Sequence, residues 1–280
     1  RISPVTIFAL LQRSAELVAS DSALLDTELL LCRALGVDRA YLKTWPDRWP
    51  NTEQLNAFHG YFQRRLRGEP IAYILGWQGF WSLELKVSAH TLIPRPETEL
   101  LVETALALLL PQQASVLDLG TGTGAIALAL ATERSTWTLT ALDVEPLAVA
   151  LAEENRANHS LDNVRVLQSN WFSSLPAVKF DLIVSNPPYI ENNDPHLSQG
   201  DVRFEPASAL VSGSQGLDDV ILLVAQSVGF LVLNGWLLVE HGCEQGDAVR
   251  ALFAKAGFHA IETRQDYNKL DRITLGQLQG

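Results

Sequence analysis

The sequence predicts a doubly wound α/β domain preceded by a small bundle of helices. From residue 115 onward, short apolar runs of strand length alternate with runs of helical spacing. This pattern is typical of a parallel sheet covered by helices on both faces. Before residue 70, apolar residues recur at helical spacing. A chain of 280 residues is long enough for one small and one larger domain.

Residues 1–70 are predicted to form the helical bundle. A stretch of helical spacing at 26–35 ends at Gly36, and glycine commonly closes a helix at its C-terminus. A later helix is predicted to begin at the Asn51-Thr52 pair, because either side chain can accept a hydrogen bond from the first turn.

Residues 71–93 are predicted to form a β-hairpin linker, because apolar and polar residues alternate from Trp77 to Val87. Residues 94–280 then form the α/β domain, which opens with a helix starting near Thr98. The apolar runs that we interpret as its strands are 116–119, 139–142, 164–167, 180–184 and 236–240.

Composition and charge exclude several classes of protein. The chain is 47% hydrophobic and 19% charged, which excludes intrinsic disorder and a coiled coil. The net charge is −11, and residues 71–280 hold 12 basic against 24 acidic residues. Nucleic-acid phosphates are bound through Lys and Arg, so direct DNA binding is not expected.

The cysteines and the apolar windows indicate a cytoplasmic protein. Cys32 and Cys243 belong to no Cys-x-x-Cys motif, so neither a disulfide framework nor a zinc site is predicted. The first residues lack the continuous apolar run of a signal peptide. The most apolar window, 220–239, is interrupted by Gln226 and Asn234, so no membrane span is expected.

A glycine-rich loop follows the first strand of the α/β domain and leads into a helix. It consists of Gly120, Thr121, Gly122, Thr123 and Gly124. Glycines at this place let the backbone turn tightly and approach a nucleotide-like ligand at the helix N-terminus. The spacing differs from that of a pyrophosphate-binding loop and no P-loop is present. The alternative is a glycine turn that binds nothing.

The second strand ends at Asp143, 23 residues after Gly120. This is the usual distance for an acid that accepts hydrogen bonds from two ribose hydroxyls. A surface aspartate at a strand end is the alternative interpretation, and the preceding glycine loop favours the ribose.

The fourth strand ends in Ser185-Asn186-Pro187-Pro188-Tyr189, the most specific motif in the chain. Two prolines fix the backbone. The side-chain oxygen of Asn186 and the carbonyl of Pro187 can accept the two hydrogens of a planar amide or amino group. The ring of Tyr189 is predicted to lie at the mouth of the site. The alternative is a rigid turn without chemistry.

Taken together, these motifs resemble the S-adenosylmethionine-dependent methyltransferases. Two further segments, Leu92–Glu99 (LIPRPETE) and Asp201–Pro206 (DVRFEP), resemble the HemK/PrmC family of protein-(glutamine-N5) methyltransferases. The resemblance covers nearly the whole chain. It implies a Rossmann-like methyltransferase domain that methylates the glutamine of the Gly-Gly-Gln motif in class I peptide-chain release factors, with no metal.

The resemblance also implies roles for individual residues. The glycine loop would surround the methionine portion of S-adenosylmethionine, and Asp143 would bind the ribose. Trp171 would lie beside the adenine, next to Asn170, which stands where relatives usually have Asp. The substrate glutamine would be held by Asn186, Pro187, Pro188 and Tyr189, with Asn186 also near the cofactor.

Three other functions compete with this interpretation. Adenine-N6 methylation of nucleic acid shares the Asn-Pro-Pro-Tyr motif. The acidic composition of this chain, however, does not predict the basic face that nucleic-acid binding needs. A dinucleotide-dependent oxidoreductase has no use for that motif, and a catalytically silent binding module would not need both motifs intact.

Weaker candidates lie outside the motifs. His241 is expected to be structural. Arg203 and Glu205 are predicted either to pair with each other or to position the substrate. The basic cluster Arg64, Arg65 and Arg67 is predicted to contact the protein substrate or, equally, to be a solvated helix end.

Overall fold

The computed structural model describes residues 5–279. The chain divides into two compact units. The first contains the chain up to Gly76 together with Pro195–Phe204, and the second contains Trp77–Asp194 and the chain from Glu205 onward. The first unit therefore extends beyond the predicted boundary at residue 70 and includes a segment that follows the Asn-Pro-Pro-Tyr motif.

The first unit is helical. Its helices are α1 (Ile7–Gln12), α2 (Ala23–Leu35), α3 (Arg39–Thr44), α4 (Thr52–Leu66) and α5 (Ile71–Leu75). Gly36 ends α2 in the left-handed conformation, and Asn51 starts α4 in a reciprocal capping arrangement with Gln54. The short helices α3 and α5 were not predicted, because five or six residues are too few to show a period. Helix α5 replaces the first residues of the predicted hairpin linker.

The basic cluster of this unit is occupied by internal contacts. Arg64 pairs with Glu69. The guanidinium of Arg65 donates to Asp26 at 2.8 Å and to Asp201 at 3.0 Å. Arg64 and Arg65 are therefore held by acidic residues of their own unit, whereas Arg67 of the same cluster is exposed.

Arg203 donates to the backbone carbonyl of Arg67 at 3.0 Å. Glu205 makes an ion pair with Arg95, and the predicted pairing of Arg203 with Glu205 stays a prediction. The segment that carries Arg203 is thus held against α4.

The second unit opens with an antiparallel hairpin, β1 (Trp77–Phe80) and β2 (Leu83–Lys86), in which Trp77 is opposite Lys86. The elements that follow are α6 (Glu99–Ala107), β3 (Ser115–Leu119), α7 (Ala125–Glu133), β4 (Thr138–Asp143), α8 (Pro146–Asn158), β5 (Val164–Gln168), β6 (Phe180–Ser185), α9 (Asp218–Ser227), β7 (Leu231–Glu240), α10 (Gly246–Lys255), β8 (Phe258–Gln265) and β9 (Asp271–Leu278).

Seven strands form one sheet in the order β5-β4-β3-β6-β7-β9-β8. The five predicted strands are mutually parallel. Strands β8 and β9 add an antiparallel edge that was not predicted. The sheet is therefore mixed rather than wholly parallel, which is common in doubly wound folds.

The core lies on both faces of this sheet. On one face, Leu85 of the hairpin, Leu101 of α6 and Leu128 of α7 are fully buried. On the other face, Leu223 of α9 and Phe253 of α10 are fully buried. In residues 5–279, no helix combines the length and apolar character needed to cross a bilayer. Because the parallel strands share a direction, their carboxyl ends meet at one edge, where such sheets bind ligands.

Candidate active site

A cavity of about 310 Å³ lies at the carboxyl edge of the sheet in the second unit. Its volume is at the lower end of the range of small-molecule sites. The predicted site residues that line it are Gly120, Thr121, Gly122, Thr123, Asp143, Asn170, Trp171, Asn186 and Pro188. The structure therefore brings together residues that the chain separates by up to 68 positions.

The glycine loop joins β3 to α7 and forms one wall of the cavity. Gly120, Gly122 and Gly124 all have positive φ, at 70°, 56° and 86°. A side chain is strained in this conformation, so the loop depends on glycine. A Cβ on Gly120 would lie 3.5 Å from the ring of Trp171, which places the loop and that ring side by side.

Asp143 ends β4 beside the glycine loop. One carboxylate oxygen accepts the backbone N–H of Gly122 at 2.8 Å, and the other accepts that of Glu145 at 3.0 Å. Burial raises the pKa of Asp143, although these N–H groups oppose the shift. The carboxylate thus fixes the loop as well as facing the cavity.

Asn170 and Trp171 follow β5, which lies next to β4 in the sheet. Trp171 has a positive φ of 50°, and its carbonyl accepts a hydrogen bond from the hydroxyl of Ser169 at 2.7 Å. Asn170 is exposed at the cavity. A flat ring next to a polar amide is suited to one face and one edge of a nucleobase.

Sequence reasoning missed two buried polar residues that hold the glycine loop. Asp118 is fully buried; its carboxylate accepts the hydroxyl of Thr121 at 2.6 Å and the N–H of Ala127 at 3.2 Å. Burial raises the pKa of Asp118 to about 7. An acidic residue inside an apolar strand, two residues before a glycine loop, was the signal available in the sequence.

The second of these residues is Asn155 of α8, which is also fully buried. Its oxygen accepts the N–H of Lys86 at 2.8 Å, and its NH2 donates to the carbonyls of Lys86 at 3.0 Å and Thr123 at 2.9 Å. Asn155 therefore ties the β-hairpin to the glycine loop. Nothing in the local sequence distinguishes it from a surface asparagine.

The Asn-Pro-Pro-Tyr motif follows β6. Asn186 and Pro188 line the cavity, and Pro187 is buried. Tyr189 is partly buried and points its hydroxyl at the carboxylate of Glu240, 3.4 Å away. The hydroxyl of Tyr189 is therefore anchored inside the protein, and the position of its ring at the mouth of the site stays a prediction.

A second anchor holds the backbone of this motif. The side chain of Gln245 donates to the carbonyl of Tyr189 at 3.1 Å and accepts the N–H of Gly242 at 2.8 Å. Gly216 passes so close that a Cβ there would lie 2.1 Å from the Tyr189 carbonyl oxygen. The motif is therefore fixed by contacts with two later loops.

The amide of Asn186 is held by Thr98. The NH2 of Asn186 donates to the Thr98 hydroxyl at 3.2 Å. Glu240 is buried at the end of β7, and burial raises its pKa to about 7. Burial and the neighbouring Glu240 charge also raise the pKa of Tyr189.

The two segments that resemble the HemK/PrmC family contact each other beside the cavity. Glu205 accepts the backbone N–H of Ile93 at 2.9 Å and pairs with Arg95, which lines the cavity. His241 is buried and hydrogen-bonds to the hydroxyl of Thr274 at 2.9 Å, as a structural histidine does.

Comparison with known proteins decides the family. Residues 9–76 match the family model of the PrmC N-terminal domain, and residues 96–213 match that of the methyltransferase small domain. A release factor glutamine methyltransferase of Pseudomonas aeruginosa is 58% identical over 98% of this chain and 99% of its own. The chain belongs to the release factor glutamine methyltransferase family. A second member, from Aliivibrio fischeri, is 50% identical over 98% of each chain.

A solved structure agrees on the fold of this family member. The crystal structure of a methyltransferase from Pyrococcus furiosus matches with a TM-score of 0.56 and 16% identity, over 79% of this chain and 99% of that one. The resemblance to HemK/PrmC proteins and the Rossmann-like fold class are therefore confirmed. The chain is an S-adenosylmethionine-dependent methyltransferase.

The donor set of the cavity fits that cofactor. The glycine loop leaves room for close approach, the Asp143 carboxylate can accept hydroxyl groups, and Trp171 offers an apolar ring. Within the part of the chain that is described, no group of three or more His, Cys, Asp or Glu side chains is placed to hold a metal ion.

Proposed function

We propose that this protein transfers a methyl group from S-adenosylmethionine to the side-chain amide nitrogen of the glutamine in the Gly-Gly-Gln motif of class I release factors. One observation carries the proposal: Asn186 lines the same cavity as the glycine loop, in a chain 58% identical to a release factor glutamine methyltransferase. Since release factors act with the ribosome, we place the reaction in the cytoplasm.

The cofactor assignment within this proposal follows the walls of the cavity. Gly120–Gly124 would surround the methionine portion, and Asp143 would accept the ribose hydroxyls. Trp171 and Asn170 would hold the adenine. The side-chain oxygen of Asn170 can accept from the adenine amino group, although without the charge of the aspartate that relatives usually carry.

Substrate orientation is the main catalytic task that we assign to this chain. An amide nitrogen is a poor nucleophile, because its lone pair is delocalised. The oxygen of Asn186 and the carbonyl of Pro187 would accept one amide hydrogen each and so fix the direction of the nitrogen. When bound, S-adenosylmethionine supplies an activated methyl group on a sulfonium. Holding reacting atoms about 3–3.5 Å apart can contribute several kcal/mol.

Tyr189 would act through the same motif. Its hydroxyl is anchored on Glu240, so we assign it to holding the Pro187-Pro188 backbone in place rather than to covering the substrate amide. Pro188 lines the cavity and would contact the substrate side chain.

We assign recognition of the release factor to the helical unit. Arg64 and Arg65 already pair with acidic residues of that unit. The exposed aromatic side chains Phe8, Trp45 and Trp49 are therefore better candidates for docking. Arg48 stacks on Trp45, 4.5 Å from its ring centre, which keeps this surface ordered.

The proposed function is tested with methyl-labelled S-adenosylmethionine and three acceptors. They are a class I release factor, the same factor with its Gly-Gly-Gln glutamine changed to alanine, and duplex DNA. Label should enter the first alone, and mass spectrometry should place one methyl group on the glutamine. Label in DNA would instead support adenine-N6 methylation, which the identity of the relatives does not favour.

Substitutions at Asn186 test the assignment of the acceptor site. Asn186→Ala should lower kcat at least about a hundredfold, because the amide loses one orienting acceptor, while S-adenosylhomocysteine still binds. Asn186→Asp should be nearly as inactive, because it removes the NH2 with which Asn186 donates to the Thr98 hydroxyl. A normal kcat for Asn186→Ala would overturn the mechanism.

A further inference from the structure

We infer that Thr98 is a positioning residue for the methyl transfer, because its hydroxyl fixes which end of the Asn186 amide faces the substrate. This inference rests on the proposed function, in which the oxygen of Asn186 accepts a substrate hydrogen. Thr98 lies in the segment before α6.

One hydrogen bond sets the orientation of the Asn186 amide. The NH2 of Asn186 donates to the Thr98 hydroxyl, with 3.2 Å between nitrogen and oxygen. Because the NH2 lies on that side, the amide oxygen is left on the other side, where it can accept a substrate hydrogen.

The local structure of α6 supports a dedicated role for this hydroxyl. Thr98 is the residue at the N-cap of α6, where threonine commonly caps the helix with its side chain. Its side chain makes no such capping bond. The side chain is 4% exposed and lines the cavity. The hydroxyl binds Asn186 instead of capping the helix.

Thr98→Val tests this inference, because valine keeps the shape and removes the hydroxyl. With a release factor as substrate, kcat should fall roughly tenfold, the effect of one net hydrogen bond, while KM for the release factor and the affinity for S-adenosylhomocysteine stay unchanged. Thr98→Ser keeps the hydroxyl and should restore kcat.

Thr104→Val is the matched control. Thr104 lies on α6 and is fully buried, and its hydroxyl has no hydrogen-bond partner, so the same substitution should leave kcat unchanged. A wild-type kcat in Thr98→Val, a failure of serine to restore it, or an equal loss in Thr104→Val would each overturn the inference.

A second readout does not depend on activity. In protein labelled with ¹⁵N-asparagine, the side-chain NH2 signals of Asn186 are identified by their loss in Asn186→Ala. They should shift and exchange faster with water in Thr98→Val but not in Thr104→Val. Unchanged signals in Thr98→Val would refute the hydrogen bond itself. If the wild-type enzyme does not methylate release factor, the proposed function fails, and the NMR result still decides the role of Thr98.

Discussion

Replacing Asp143 with alanine is the most direct test of the cofactor site. The carboxylate accepts the N–H groups of Gly122 and Glu145, and we propose that it also accepts the ribose hydroxyls of S-adenosylmethionine. The substitution therefore has two consequences that can be measured separately. One is on cofactor affinity, and the other is on the stability of the protein without cofactor.

The structure sets the size of both effects. A hydrogen bond to a charged group contributes about 1.5–3 kcal/mol, or about ten- to a hundredfold in affinity. Loss of two ribose contacts should weaken binding at least about a hundredfold. Without cofactor, Glu145 is exposed and its N–H can bind water, whereas Gly122 is half-buried. The free energy of unfolding should therefore fall by only about 1 kcal/mol.

Calorimetric titration with S-adenosylhomocysteine measures the first effect, and urea unfolding measures the second. Asp143→Asn keeps the shape and one acceptor, so its affinity should lie between those of wild type and Asp143→Ala. Asp162→Ala is a control for loss of a carboxylate, because that side chain is 98% exposed. It should change neither quantity.

One outcome would refute the ribose assignment. If Asp143→Ala loses stability as expected but binds S-adenosylhomocysteine with unchanged affinity, the carboxylate serves only to hold the glycine loop. The cofactor would then be bound by Trp171, Asn170 and the loop backbone without it.

Two further predictions concern stability. Asn155→Leu should lower the free energy of unfolding by roughly 3 kcal/mol or more in urea titrations, because the backbone groups of Lys86 and Thr123 lose their hydrogen-bond partner. Asn158→Leu is the control: it lies at an exposed position of the same helix and should have little effect. For Glu240, burial raises the pKa from 4.5 to about 7. The folded protein therefore binds this proton more tightly than the unfolded chain does. The free energy of unfolding falls as the pH rises between these two pKa values. Between about pH 6 and pH 8, the free energy of unfolding of the wild type should fall by about 1 kcal/mol more than that of Glu240→Gln. Equal decreases in the two proteins would contradict the shifted pKa.

The predictable part of the fold was the part with local periodicity. Strands β3 to β7 contain apolar runs, so each was visible in a window of a few residues. Strands β8 and β9 were missed. Strand β8 has few apolar residues, and most of its residues are polar and at least partly exposed, such as His259, Glu262 and Arg264. Such a strand is defined by its partner rather than by its own sequence.

The candidate site shows the same limit. The glycine loop, Asp143 and Asn186 were predicted because each follows a strand, and the sheet topology brings strand ends together. The pairing of Asn186 with Thr98 joins residues 88 positions apart, and no local pattern encodes it. The same is true of Arg65 and Asp201, which are 136 positions apart, so the arginine cluster looked free in the sequence.

Two buried carboxyl groups explain how this sheet edge holds its loops. Asp118 binds the first turn of the glycine loop through Thr121, and Glu240 binds the acceptor motif through the hydroxyl of Tyr189. Burial raises the pKa of each to about 7, because the ionised form is held against an unfavourable desolvation energy. The fold thus gives up some stability at both carboxyls, and in return the cofactor loop and the acceptor motif are each fixed before any ligand binds.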